Sequence, residues 1–203
     1  MRNIIFDVGK VLVSYEPEEM MKGLGFTEEE IATVNAAMFE NAWWEKSDRG
    51  DLPREDLHKA FINEAKTKED KALVERAYQH IGETIDLLPH TMQWILDLKK
   101  RGYHIYILSN YSEDTFEKTK DKLNRFLDLV DGAIFSYECK MSKPEPGIYK
   151  KLISEYFLEE DESVFIDDRK ANVEAAEALG IKGILFTNYV QAMAELDTYL
   201  INH

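Results

Sequence analysis

Three short apolar runs in this chain stop abruptly on chemistry-bearing side chains. Ile4-Ile5-Phe6 stops on Asp7, Ile105-Tyr106-Ile107-Leu108 on Ser109 and Asn110, and Val164-Phe165-Ile166 on Asp167 and Asp168. Two more runs, Ala133-Ile134-Phe135 and Gly183-Ile184-Leu185-Phe186, share the same character, and the first leads into Ser142-Lys143-Pro144. Runs of Ile, Val, Leu and Phe without polar alternation belong to strands covered on both faces, the signature of a parallel sheet. From Leu88 onward they alternate with helical periodicity, so strand–helix units with right-handed crossovers are expected: an α/β, Rossmann-like three-layer fold. In such a sheet the carboxyl ends of the strands share one edge, and ligands bind there. Asp7, Ser109, Asn110, Lys143, Asp167 and Asp168 can therefore meet. Taken alone, Asp7 reads equally well as a helix N-cap or turn residue; the recurrence at three strand ends shifts the reading to a site.

The segment from Ser14 to Ile85 interrupts this pattern. It is helical throughout, with a capping box at Thr27 to Glu30 and a second start at Thr67 with Asp70. It predicts a small bundle inserted after the first strand, over the carboxyl edge of the sheet, where a lid belongs. The expected division is a core of residues 1–14 and 87–203 with a helical cap of 15–86. In the cap, Trp43 and Trp44 read as bundle core before pocket wall. Arg49 could contact a phosphate or sugar but reads better as a surface turn, and Lys10 reads as a solvated or helix-dipole lysine before a residue of the site. Gly9 can take backbone angles closed to other residues and lets a ligand come close to the main chain. Met92, Ile95 and Leu96 are expected to face inward from the helix after Pro89.

Composition excludes several classes. With 44% apolar residues the chain has a core's worth of hydrophobic material, and a single cysteine, Cys139, rules out an internal disulfide. No apolar run has the length of a membrane span and the N-terminus lacks a signal-peptide pattern, so a cytoplasmic protein is expected. The net charge of −14 repels phosphate backbones and anionic membranes, so neither nucleic acid nor membrane is an expected partner. The five histidines (His58, His80, His90, His104 and His203) show no ligand spacing and read as structural or solvated.

The gathered residues form a coherent set. Two or three carboxylates make a hard-oxygen site for Mg²⁺. An ammonium and a hydroxyl can hold phosphate oxygens. A carboxylate beside both can act as a nucleophile. At F-D-V-G-K-V, I-L-S-N, S-K-P-E-P-G-I-Y and F-I-D-D-R-K-A-N the sequence resembles the haloacid dehalogenase-like hydrolase superfamily, in its small-helical-cap branch. It is similar to bacterial phosphatases of the glucose-1-phosphate type and to the phosphatase domain of soluble epoxide hydrolases. The resemblance implies a parallel sheet in the order 5-4-1-2-3 and a Mg²⁺-dependent phosphatase acting through an aspartyl phosphate. It implies Asp7 as nucleophile and metal ligand, the Gly9 carbonyl and Asp168 as further ligands, and Asp167 as a ligand directly or through water. Ser109 and Asn110 would contact phosphate, Lys143 would bridge nucleophile and phosphate, and Asn172 would buttress the fourth-motif loop. The implied partner is a small phosphorylated metabolite, a hexose 1-phosphate for example, acted on by a monomer or homodimer.

Most phosphatases of this superfamily carry a second Asp two residues after the nucleophile, to move a proton. Here that position is Gly9. A good leaving group, such as an anomeric oxygen, lessens the need, and a cap acid such as Glu45 or Asp48 acting through water could supply it. Two alternatives stand beside the phosphatase: a metal-free haloacid dehalogenase, disfavoured by the adjacent Asp167 and Asp168, and a degenerate phosphate-ligand-binding protein.

Overall fold

Strand β1 (Asn3–Phe6) occupies the centre of a five-stranded sheet in the computed structural model, which describes residues 1–201. It pairs in parallel with β2 (His104–Ser109) on one side and β4 (Ser163–Asp167) on the other. The edges are β3 (Gly132–Phe135) and β5 (Lys182–Leu185), giving the order β3-β2-β1-β4-β5. That is the expected 5-4-1-2-3 order, read from the opposite edge. Phe6 is in register with Ile107 and Ile166, so Asp7, Leu108 and Asp167 come level across the three central strands.

The pleat sends alternate residues of β1 to opposite layers. Ile4 and Phe6 pack with Trp94, Ile95 and Leu98 of α6 (Thr91–Lys100), and with Leu123 and Phe126 of α7 (Glu113–Leu127). Helix α11 (Tyr189–Ile201) joins that layer through Ala192, Leu196 and Leu200. Ile5 faces the other layer, with Ile148, Tyr149 and Leu152 of α9 (Pro146–Tyr156) and Ala176 of α10 (Lys170–Glu177). The expectation for α6 needs correction at Leu96, which is exposed. The buried stripe runs through Thr91, Trp94, Ile95 and Leu98. Helical period places these four on one face and turns Leu96 away from it.

The insert contains α1 (Pro17–Gly23), α2 (Glu28–Val34), α3 (Ala42–Asp48), α4 (Arg54–Glu64) and α5 (Lys68–Gln79). Capping boxes form at Thr27 with Glu30 and at Thr67 with Asp70. The insert has its own apolar centre, built from Met20, Met21, Ile31, Val34, Met38, Leu57, Phe61 and Val74. Trp43 and Trp44 are partly buried against it, Trp44 stacking 6.0 Å from Phe61. Its two connections to the sheet run side by side. The amide of Ser14 donates to the Asp86 carbonyl at 2.7 Å, and that of Glu16 to the Thr84 carbonyl at 2.7 Å. Paired connections hold the insert above the carboxyl edge of the sheet.

Candidate active site

Beyond Asp7 the chain folds back on itself. The amides of Leu12 and Val13 donate to the Val8 carbonyl, and that of Lys10 donates to the Val13 carbonyl at 2.7 Å. The left-handed backbone angle in this flap belongs to Lys10 (φ 60°), whereas Gly9 lies outside that region. Gly9 therefore makes no use of the left-handed freedom open to glycine. A Cβ built on Gly9 meets nothing within 4 Å, so the absent side chain leaves open space at the site.

Lys143 ties the strand ends together. Its Nζ donates to Asp7 Oδ1 at 2.7 Å, to Asp167 Oδ2 at 2.7 Å and to the Leu108 carbonyl at 2.8 Å, which uses all three of its protons. Its backbone is clamped by Asn110, whose Nδ2 donates to the Lys143 carbonyl at 2.9 Å and whose Oδ1 accepts from the Lys143 amide at 2.8 Å. Asn110, which also lines the cavity, thus holds Lys143 in place. Asp167 is fully buried and accepts four hydrogen bonds: from Lys143, from the Arg169 amide, and from Asn172 Nδ2 at 3.0 Å to each oxygen. That leaves little lone-pair capacity for a direct metal bond. Asp168 projects from the same loop and is half-buried.

Burial pushes the Asp7 carboxyl up to about 6; Lys143 opposes the shift and Asp167 adds to it. Burial works against the Lys143 ammonium, but the flanking Asp7 and Asp167 outweigh it and raise its pKa. Asp168 is also raised, by burial and then by Asp167, against Lys10 and Lys143. Carboxylate oxygens of Asp7, Asp167 and Asp168 lie within 4.8 Å of one another. One buried ammonium faces three carboxylates, so this cluster keeps a surplus of negative charge that a hard divalent cation would neutralise. The donor set therefore fits Mg²⁺.

Above these groups lies a cavity of about 400 Å³. Asp7, Gly9, Lys10, Ser109, Asn110, Lys143, Asp168, Arg169 and Asn172 line it from the sheet side. Tyr111, from the loop after β2, lines it as well, and Tyr15, Trp44 and Asp48 line it from the cap. Trp44 thus serves both readings, bundle core and pocket wall. Burial raises the pKa of Tyr15, and pushes Tyr111 up to about 12 although the hydrogen bond to Thr119 lowers it, so both phenols keep their protons. Burial also pushes the Asp48 carboxyl up to about 7, with Arg169 opposing. Glu45, the other cap acid considered, is exposed to solvent.

Arg49 proves to be more than a surface turn. It pairs with Glu145 in the Ser142–Pro146 loop and, at 3.1 Å, with Asp51. Ser136, the first residue of the short helix α8 (Ser136–Cys139), donates through its Oγ to the Asp48 carbonyl next to Arg49, a second tie between cap and core. Gly50, at φ 71°, packs so close to the Tyr137 carbonyl that a Cβ would lie 2.4 Å from its oxygen.

With this geometry in view, a family model described as haloacid dehalogenase-like hydrolase matches residues 1–180. The chain belongs to the haloacid dehalogenase-like hydrolases. The hydrolase is 22% identical to the sesquiterpene phosphatase astK of Aspergillus oryzae, covering 95% of this chain and 93% of that one. It is 23% identical to a D-ribitol-5-phosphate phosphatase of Bacteroides thetaiotaomicron over 90% of each chain. Among solved structures, a haloacid dehalogenase family enzyme from Bacteroides thetaiotaomicron, in complex with magnesium and inorganic phosphate, shares its fold with a TM-score of 0.72. That likeness is at 23% identity and covers 91% of this chain and 93% of that one.

Tyr15, Tyr111, Thr115, Asp48 and Arg169 escaped the sequence reading as cavity residues. Arg169 directly follows the Asp167-Asp168 pair and could have been found by that adjacency. Asp48 was weighed as a proton source only. Tyr111 directly follows Ser109-Asn110 and has the same adjacency, whereas the place of Tyr15 depends on how the cap lands on the sheet.

Proposed function

We propose that this hydrolase is a Mg²⁺-dependent phosphatase of a small polyhydroxylated phosphate ester, of the sugar phosphate class. The observation that carries this reading is the Asp7 carboxylate on the cavity floor, 2.7 Å from Lys143 and clustered with Asp167 and Asp168. Asp7 Oδ attacks phosphorus and becomes the acyl phosphate, while Lys143 offsets the charge gathered between nucleophile and phosphoryl group. The Ser109 hydroxyl and neighbouring main chain hold phosphoryl oxygens. Asn110 and Asp167 keep Lys143 in place, and water later frees phosphate from Asp7. Asp7, Asp168 and the Gly9 carbonyl would hold Mg²⁺, with Asp167 acting through water. Bound there, the ion supplies charge neutralisation for the phosphoryl oxygens. A metal-free dehalogenase is a poor fit, because the surplus negative charge would repel a substrate carboxylate.

The cavity supports a polar substrate skeleton. Trp44, Tyr15 and Tyr111 offer flat aromatic surface, and Asp48 and Arg169 offer hydrogen-bonding groups, a combination suited to a carbon chain bearing hydroxyls. The test is phosphate release from sugar 1-phosphates, sugar 6-phosphates, alditol phosphates and a terpenyl phosphate, with Mg²⁺ and with EDTA. Release that EDTA stops and Asp7→Asn lowers by more than about 10³-fold is expected, with sugar or alditol esters preferred. Turnover that survives EDTA would sink the metal-dependent reading. Preference for the terpenyl ester would sink the substrate class.

A further inference from the structure

We propose that Asp48 is the proton donor to the leaving oxygen and then the base toward water, supplied by the cap in place of a side chain at position 9. The proposal rests on the phosphatase reading above. Its first support is the emptiness at Gly9. Neither backbone conformation nor packing demands glycine there, since its φ lies outside the left-handed region and a Cβ would meet nothing within 4 Å. The reaction still requires a proton for any poor leaving group. Its second support is placement. Asp48 ends helix α3 and lines the same cavity as Asp7, Ser109 and Lys143. Its electrostatic neighbours are Arg169, Asp7 and Lys143 from the core and Glu45 from its own helix, and it in turn acts on Tyr15 and Tyr111. Its third support is the way its backbone is held. The Asp48 carbonyl accepts from Ser136 Oγ, Arg49 beside it pairs with Glu145, and Gly50 packs on Tyr137. Three successive residues of the cap are thus held by the core, which keeps the backbone of Asp48 at the rim of the cavity that its side chain lines. Burial pushes the Asp48 carboxyl up to about 7, against Arg169, so that near neutral pH both its protonated and its ionised forms are accessible, as a donor that later acts as base requires.

The chemistry balances. Asp7 forms a bond to phosphorus, the bond from phosphorus to the ester oxygen breaks, and that oxygen takes the proton of Asp48. Water then attacks the same phosphorus and gives a proton to the Asp48 carboxylate. The bond between phosphorus and Asp7 breaks, releasing inorganic phosphate and restoring both carboxyl groups to their starting states. Arg169 faces the Asp48 anion that exists between the two halves.

The test compares Asp48→Asn and Asp48→Ala with the wild type on p-nitrophenyl phosphate and on a hexose 6-phosphate, with Mg²⁺ present and folding checked by circular dichroism. On the hexose ester kcat is expected to fall about 10²–10³-fold. On p-nitrophenyl phosphate, whose leaving group needs no proton, Asp48→Asn should release a burst of about one nitrophenolate per enzyme, then turn over slowly, because formation of the Asp7 acyl phosphate stays fast and its hydrolysis does not. Gly9→Asp added to Asp48→Asn should restore at least about tenfold of the lost rate. Equal losses on both esters without a burst, or no loss, would overturn the role of Asp48. A wild type that releases phosphate from neither ester would instead overturn the phosphatase reading on which it rests.

Discussion

Lys143 shows what a single residue does in this site. Its ammonium is nearly inaccessible and holds two carboxylates and a carbonyl from three strand ends. Removing one member of a buried charge cluster leaves the rest uncompensated. Lys143→Met is therefore expected to destabilise the metal-free protein by about 3–5 kcal/mol in urea denaturation, with Mg²⁺ recovering part of the loss. Asp7 gives a pH dependence of definite sign. Its folded pKa, near 6, lies above the ordinary 3.8, so the folded state binds more protons between those values and metal-free stability falls as pH rises through that window. Asp7→Asn should flatten that slope and add ~1–3 kcal/mol at neutral pH, measured by denaturation across pH 4 to 7 in EDTA. A variant that is less stable than wild type at neutral pH would show that the Lys143 pair dominates the burial cost.

At the scale of elements, the end of α3 and the turn after it decide how the cap meets the sheet. Arg49 and Glu145 are both substantially exposed, so their pair contributes little to global stability. Its expected effect is on position. Arg49→Ala should leave the melting temperature within about 2 °C and lower kcat/KM about 3–10-fold, with faster hydrogen exchange in residues 42–50. Gly50→Ala is harsher, since φ 71° disfavours a side chain and the new Cβ would collide with the Tyr137 carbonyl. It should cost on the order of 1–3 kcal/mol and lower activity more than Arg49→Ala does, because the clash pushes Asp48 and Trp44 off the cavity. Activity equal to wild type in Gly50→Ala would mean that the cap does not need this seating.

For the whole molecule, the net charge of −14 sets the field that an anionic ester must cross. Raising ionic strength from about 20 to about 200 mM should therefore increase kcat/KM a few-fold by screening that repulsion. A decrease would show that Lys10, Arg169 and Lys143 govern approach locally. Among the described residues no helix is long and apolar enough to cross a membrane. His203 lies outside the described residues. His90 is a structural residue, its Nε2 donating to the Val11 carbonyl at 3.0 Å and its ring stacked on Tyr189. Much of the core was legible in the linear chain because parallel strands have a fixed direction. Apolar runs ending on Asp7, Ser109 and Asp167 are brought to one edge by topology alone, without knowledge of any side-chain contact. Lys143 could be placed beside them on the same ground. The tasks of Asn110 and Asp167 were not legible, because hydrogen-bond saturation depends on distances set by packed loops. Nor was the meeting of Arg49 with Glu145, separated by 96 residues. The sequence by itself determined the sheet, the insert and the reacting groups on the floor, all of which follow from local pattern and strand direction. Only the tertiary structure decided the roof of the cavity, and with it the places of Asp48, Tyr15 and Trp44, because the seating of one packed unit on another depends on shape and long-range contacts that no periodicity records.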